Sequence, residues 1–170
     1  PQKDPKEIIM EYSRFFFGPE VAEEATDGIF ALEKNWEGPI KNNDSIKKTL
    51  ALWTSLEENN PHLADNWRWQ QLVMRAYYDA YSQDRLAFEK GLEAEAYSIL
   101  AQAKTIGAEE AMNDALQHLN KATTDMVSQD LKEKVFVYGD KLFRSIGAQL
   151  SVEKYQARSA ERGAILDFID

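Results

Sequence analysis

The chain contains no cysteine and only two histidines, His62 and His118. The first absence removes disulfides, thiolate nucleophiles and Cys-based metal sites. Neither histidine lies three residues after a Glu, so the Glu-x-x-His pairs of di-iron bundles are missing as well, and no cofactor is called for. Twenty basic residues face twenty-nine acidic ones, for a net charge of −9, and no run of Lys or Arg could track a phosphate backbone. Nucleic acid and an anionic membrane are therefore excluded as partners. No apolar run reaches eighteen residues, and the aromatic triplet at 15–17 is far too short to span a bilayer. The sequence opens at Pro1 without Met and without a basic-then-apolar leader, so it reads as a piece of a larger protein or a processed product.

What is present is a helical pattern of ordinary globular composition, 44% hydrophobic and 29% charged. The forty residues at 63–102 contain no proline. At helical spacing, Leu63, Trp67, Met74, Tyr78, Tyr81, Phe88, Leu92 and Ile99 fall in one stripe, and Trp69, Leu72, Val73, Ala76 and Ala80 in a second nearly opposite. Arg68, Gln71, Arg75, Asp79 and Ser82 form the narrow polar strip between them. A helix so widely apolar must be wrapped by others. The pattern predicts an all-α fold, a bundle of six or seven helices around a central long helix near 63–102, with a bend or end expected near Gly91.

The remaining helices are read from punctuation. Asp4-Pro5-Lys6-Glu7 is a capping-box start for a helix with Ile8, Tyr12 and Phe15 on one face. After Gly18-Pro19, residues Val21, Ala25, Ile29, Leu32 and Trp36 make the inward stripe of the next. Asn43 or Asp44 caps a third, carrying Ile46, Leu50, Trp53 and Leu56. Beyond Gly107 a short helix repeats Ala at 108, 111 and 115 beside Met112, Leu116 and Leu119, a small-residue face suited to close packing. Thr123 or Thr124 is expected to cap the most regular stripe of the chain, Val127, Leu131, Val135, Tyr138, Leu142 and Ile146. The domain organisation follows: a helical bundle over 1–147, then a last helix and exit connector over 148–170.

Chemistry is sparse. No phosphate-binding glycine loop and no Gly-x-Ser-x-Gly elbow occur. The adjacent carboxylates Glu23/Glu24, Glu57/Glu58 and Glu109/Glu110 read as solvated charge rather than a glycosidase pair, and Asp114 with His118 as a surface contact. No catalytic residue is assigned. The candidate binding residues are Trp67, Arg68, Trp69, Gln71, Arg75, Tyr78 and Asp79, because flat rings cover sugar C–H faces while guanidinium, amide and carboxylate groups bond hydroxyls. Against this stands the plainer reading, in which such rings are core and Arg75–Asp79 is an i,i+4 ion pair. Trp36 in Trp36-Glu37-Gly38-Pro39 is either an exposed aromatic or, as its stripe suggests, a ring closed against the next helix.

The stretch Glu11-Tyr12-Ser13-Arg14-Phe15-Phe16-Phe17-Gly18-Pro19, running on through Val21 and Ala22 to Trp36, resembles the helical region that follows the catalytic barrel in large bacterial carbohydrate-active enzymes. The families are the α-glucuronidase and hexosaminidase-like glycoside hydrolases and related secreted proteins. The tail around 149–155 and 161–167 is similar to their junctions with a further domain. The resemblance implies a non-catalytic accessory domain that buttresses a barrel or its assembly, in a periplasmic or extracellular protein, with other domains of the same parent chain as its partners. Docking on a barrel would leave residues 15–17 or Trp36 as an exposed apolar patch. The alternative is a stand-alone helical module that binds a ligand, with carbohydrate as the candidate, or that forms a homodimer.

Overall fold

A computed structural model describes residues 3–151. Among these residues there are α-helices and 3-10 turns and no strand, so the all-α bundle expected from the sequence is what forms. The helices are α1 (Pro5–Phe17), α2 (Ala22–Lys34), α3 (Ser45–Asn59), α4 (Trp67–Leu100), α5 (Ala103–Ile106), α6 (Ala108–Leu119), α7 (Lys121–Thr124) and α8 (Gln129–Ile146). Within the described residues no helix is long and apolar enough to cross a membrane, and no group of three His, Cys, Asp or Glu side chains could hold a metal ion. The final helix expected within 148–170 falls from residue 152 onward outside the described residues; residues 148–151 carry no helix.

The long central helix is present, shorter at both ends than expected and unbroken at Gly91. Its start is set by Asn66, whose side chain accepts from the backbone N–H groups of Arg68 and Trp69. Leu63 ends a separate 3-10 turn at Pro61–Leu63. Gly91 does not break the helix, which runs on to Leu100, about 51 Å from end to end at 1.5 Å per residue. Two bodies of packing use it. The main core gathers Phe17, Val21, Ala25, Trp53, Trp69, Val73, Tyr77, Tyr81, Val135, Tyr138 and Leu142 around the first half of α4. The second half packs Leu92 and Ala96 against Ala111 and Ala115 of α6, and none of these four joins the main cluster.

Close approach of the other helices is arranged by small residues and buried polar bonds. Thr26 donates to the Ala22 carbonyl at 2.7 Å and lies 3.1 Å from Ser13 Oγ, joining α2 to α1 without bulk between them. Trp53 Nε1 donates to the Gly28 carbonyl at 3.1 Å, with the indole lying directly over the glycine. The stripe Leu131, Val135, Tyr138, Leu142 of α8 faces the core as its spacing indicated, whereas Ile146 is exposed and Val127 precedes the helix. No threonine starts α8. Ser128, in the left-handed region at φ 45°, holds that position and donates to Asp84 Oδ2 at 2.6 Å. On α6, Ala111 and Ala115 turn inward while Ala108, Met112, Leu116 and Leu119 remain on the surface, and Ala122 falls in the separate helix α7.

Candidate functional site

The polar strip of α4 is divided by the structure into a buried half and an exposed half. Asp79 is 2% exposed. It accepts from Asn35 Nδ2 at 2.8 Å and from Arg75 Nε at 2.9 and 3.0 Å. Burial pushes the Asp79 carboxyl above its ordinary range, opposed by the Asn35 hydrogen bond and the Arg75 charge. Gln83, one turn on, donates to the carbonyls of Ile40 and Asn43. These bonds strap the loop after α2 onto α4 from beneath. Because Asn35 turns inward to Asp79, the next residue turns outward: Trp36 lies past the end of α2 and is 68% exposed, not part of the inward stripe.

Trp36 roofs Arg75, whose guanidinium carbon sits 4.6 Å from the ring centroid. Only Nε of Arg75 is engaged by Asp79, which leaves its two outer nitrogens without a hydrogen bond among the described residues. Two turns earlier, Arg68 is held in a second aromatic setting, 3.8 Å from the Phe16 ring and 4.1 Å from that of Trp67. Asn66 builds this corner by donating 2.7 Å to the Phe16 carbonyl while it caps α4. Tyr12 closes the back, its ring tilted at 55° to Phe16 with the centroids 4.7 Å apart. Burial raises the Tyr12 phenol, and the neighbouring Arg68 charge pulls the other way. Phe15 stands outside the corner, 81% exposed and edge-on to Phe16 at 4.8 Å.

Of the seven candidate residues, five share one accessible side of α4. Gln71 is exposed at its middle, and Trp67, Arg68, Arg75 and Tyr78 are half-buried around it. Asp79 lies underneath as the anchor of Arg75. Trp69 points the opposite way and is 1% exposed, packed edge-on between Phe17 at 5.2 Å and Trp53 at 5.3 Å. Sequence reasoning left Phe16 out of this site and gave Trp36 the inward role. The available signal was Asn35 at the end of an apolar stripe, a residue type that caps and turns.

A second constellation joins three helices below this face. Glu57 of α3 accepts from Tyr77 of α4 at 2.8 Å and Tyr138 of α8 at 2.5 Å, with Lys134 Nζ 3.4 Å away. Desolvation raises the carboxyl, but the two phenols and Lys134 outweigh it and hold Glu57 below its ordinary range. Tyr77 is pushed up to about 12 and Tyr138 further, first by burial and then by the hydrogen bond to Glu57. Expected as solvated charge, Glu57 instead has its oxygens spent on structure. His118 likewise leaves Asp114 and sets Nε2 2.8 Å from Glu95 of α4. Compared with known proteins, the chain matches no family model, no curated protein and no solved structure.

Proposed function

We propose that this chain is a non-catalytic helical accessory module of a larger carbohydrate-active protein, working by contact through the α4 face that runs from Phe15 to Trp36. The observation that carries the reading is the exposure of these two rings, 81% and 68%, at the two ends of a face holding Arg68, Gln71 and Arg75. Rings of this size are usually buried, and exposed ones rimmed by polar groups mark interaction surfaces. The carboxylates of half-buried Glu57 and buried Asp79 support a non-catalytic role, since each is engaged by donors that hold the fold together. The carbohydrate-active parent and its periplasmic or extracellular setting rest on the resemblance of the segment at 11–36. Hydroxyl-radical footprinting tests the reading: Phe15 and Trp36 should oxidise readily in the isolated chain and be protected in the protein expressed from its native gene. Equal oxidation in both removes it.

A homodimerising module is the second reading, favoured by a different surface. Met112, Leu116 and Leu119 of α6 are 59%, 58% and 42% exposed, beside Tyr97 and Leu100 of α4. Leu119, Tyr97 and Leu100 also line an open groove of about 470 Å³ that Leu86, Leu92 and Ala96 floor. Sedimentation of the chain and of Leu116→Glu over a range of concentrations decides it: a dimer lost in the variant supports it, and a monomer throughout discards it.

A further inference from the structure

We infer that the partner of the α4 face is an acidic amphipathic helix, which lies along α4 and places two carboxylates seven residues apart against Arg68 and Arg75. The inference rests on the contact-surface reading above and gives its partner a chemistry.

Three observations lead to it. The first is the state of the two arginines. In a chain where acids outnumber bases by nine, Arg68 has no carboxylate partner among the described residues; it is held by the rings of Phe16 and Trp67 and by a hydrogen bond with the Tyr12 phenol. Arg75 has a carboxylate on Nε alone, and that carboxylate is the buried Asp79, so its two outer nitrogens have no hydrogen bond within the described residues. A guanidinium fixed in its plane by a ring presents a two-donor fork, which matches a carboxylate better than a hydroxyl or a point charge. Both arginines are thus set to donate to a carboxylate before any partner arrives, and little side-chain entropy remains to be lost.

The second is spacing. Arg68 and Arg75 lie seven residues apart on one helix, about 10.5 Å along its axis. A second helix packed side by side with α4 repeats that distance between its own residues seven apart, whatever its direction. Residues four apart span only about 6 Å and cannot reach both forks. The third is the surroundings: Trp36, Phe16 and Trp67 supply apolar flanks, with Gln71 between the forks. That is the surface an amphipathic helix seeks, with i and i+7 anchors. A polysaccharide is disfavoured because the faces it would stack on are already in use. Arg68 occupies the rings of Phe16 and Trp67, and Arg75 takes one side of Trp36.

The test is calorimetric titration of the full chain with synthetic helical peptides of about twenty residues, long enough to hold a helix with good helix formers. One peptide carries a leucine stripe with two Glu seven positions apart. A second moves them four apart, and a third replaces both with Gln. The first should bind at least about tenfold more tightly than the other two, with an advantage that shrinks as salt is raised. Arg68→Gln and Arg75→Gln should each erase about tenfold of it, and Arg75→Lys, which keeps a cation beside the buried Asp79 but loses the planar fork, should do the same, with circular dichroism checking that each variant stays helical. Absence of binding by the first peptide overturns the inference. So does equal binding by all three, although protection of Phe15 and Trp36 in footprinting would then keep the contact-surface reading alive. Competition by polygalacturonate as strong as that of the first peptide, and dependent on the same arginines, overturns it in favour of an anionic polysaccharide.

Discussion

The hydroxyl of Tyr138 lies 2.5 Å from Glu57 Oε1, a bond between α8 and α3 that spans 81 residues of sequence. Tyr138 also stacks on Tyr77 of α4 at 6.3 Å, and Tyr77 donates to the other oxygen of the same carboxylate. One anion therefore fixes the relative rotation of three helices, which greasy contacts alone would leave adjustable.

Replacing that anion should be costly. Glu57→Ala leaves two phenol hydroxyls without their acceptor and is expected to lower the unfolding free energy by about 2 kcal/mol, while Tyr138→Phe alone costs about 1 kcal/mol. Urea denaturation of both single variants and the double variant checks this. The clamp predicts a coupling of at least about 0.5 kcal/mol, and additive effects would show that the bond does not act as one.

The pH dependence has a definite sign at each end. Glu57 is depressed in the folded state, so its stabilisation is complete above its unfolded pKa and lost as the pH falls through its folded value. Asp79 is raised and works the other way, favouring the native state as it gains its proton. Tyr77, at about 12, and Tyr138 are raised above 10, so their contribution is whole below pH 10 and lost as the pH climbs through the folded values. Phenolate absorbance should show two tyrosines that ionise only with alkaline unfolding, and Glu57→Gln should flatten the acid limb of a stability profile. Ordinary titration of every tyrosine near pH 10 contradicts the assignment.

Gly28 has no room for a methyl group. A Cβ there would lie 2.9 Å from Cζ2 of Trp53 and 3.0 Å from Cε2, in an indole that is itself 0% exposed and tied to the Gly28 carbonyl. Gly28→Ala ordinarily favours a helix by up to about 1 kcal/mol. Here the displaced indole should reverse the sign, for a net loss of about 1–3 kcal/mol. A variant that melts at or above the parent temperature would show that α2 and α3 can move apart freely.

Two tryptophans separate surface from core. Trp69→Ala should cost about 3–5 kcal/mol because it empties the space between Phe17 and Trp53. Trp36→Ala should stay within about 0.5 to 1 kcal/mol, the worth of an exposed cation–π contact with Arg75. Thermal denaturation of both variants measures the difference. Similar losses would mean that Trp36 packs rather than presents.

Much of this fold is legible in the order of residues, and the reasons are local. The α8 stripe and the capping of α1 by Asp4 follow from spacing and side-chain reach, which depend on no distant partner. The face of α4 bearing Arg68, Gln71 and Arg75 is fixed by helical geometry in the same way. What spacing cannot state is which neighbour arrives. The loop strap on Asp79 comes from Asn35, forty-four residues away, and it changes a surface residue into a buried one. Periodicity treated the apolar residues of α6 alike, yet alanine permits the closer approach, so Ala111 and Ala115 face inward and the larger Met112 and Leu116 face solvent.

The separation of the two packing bodies along α4 makes the region from α5 to α7 an outrigger. The chain leaves the main core along α4, turns back through α6 and returns only at α8, so the outer lobe is moored on the second half of α4, through Leu92, Ala96, Ala111, Ala115 and the His118–Glu95 contact, and not on the main core. Local opening there exposes little apolar area and leaves the tyrosine clamp intact. Amides of α6 should accordingly exchange with solvent before those in the first half of α4, which should exchange only when the whole molecule unfolds.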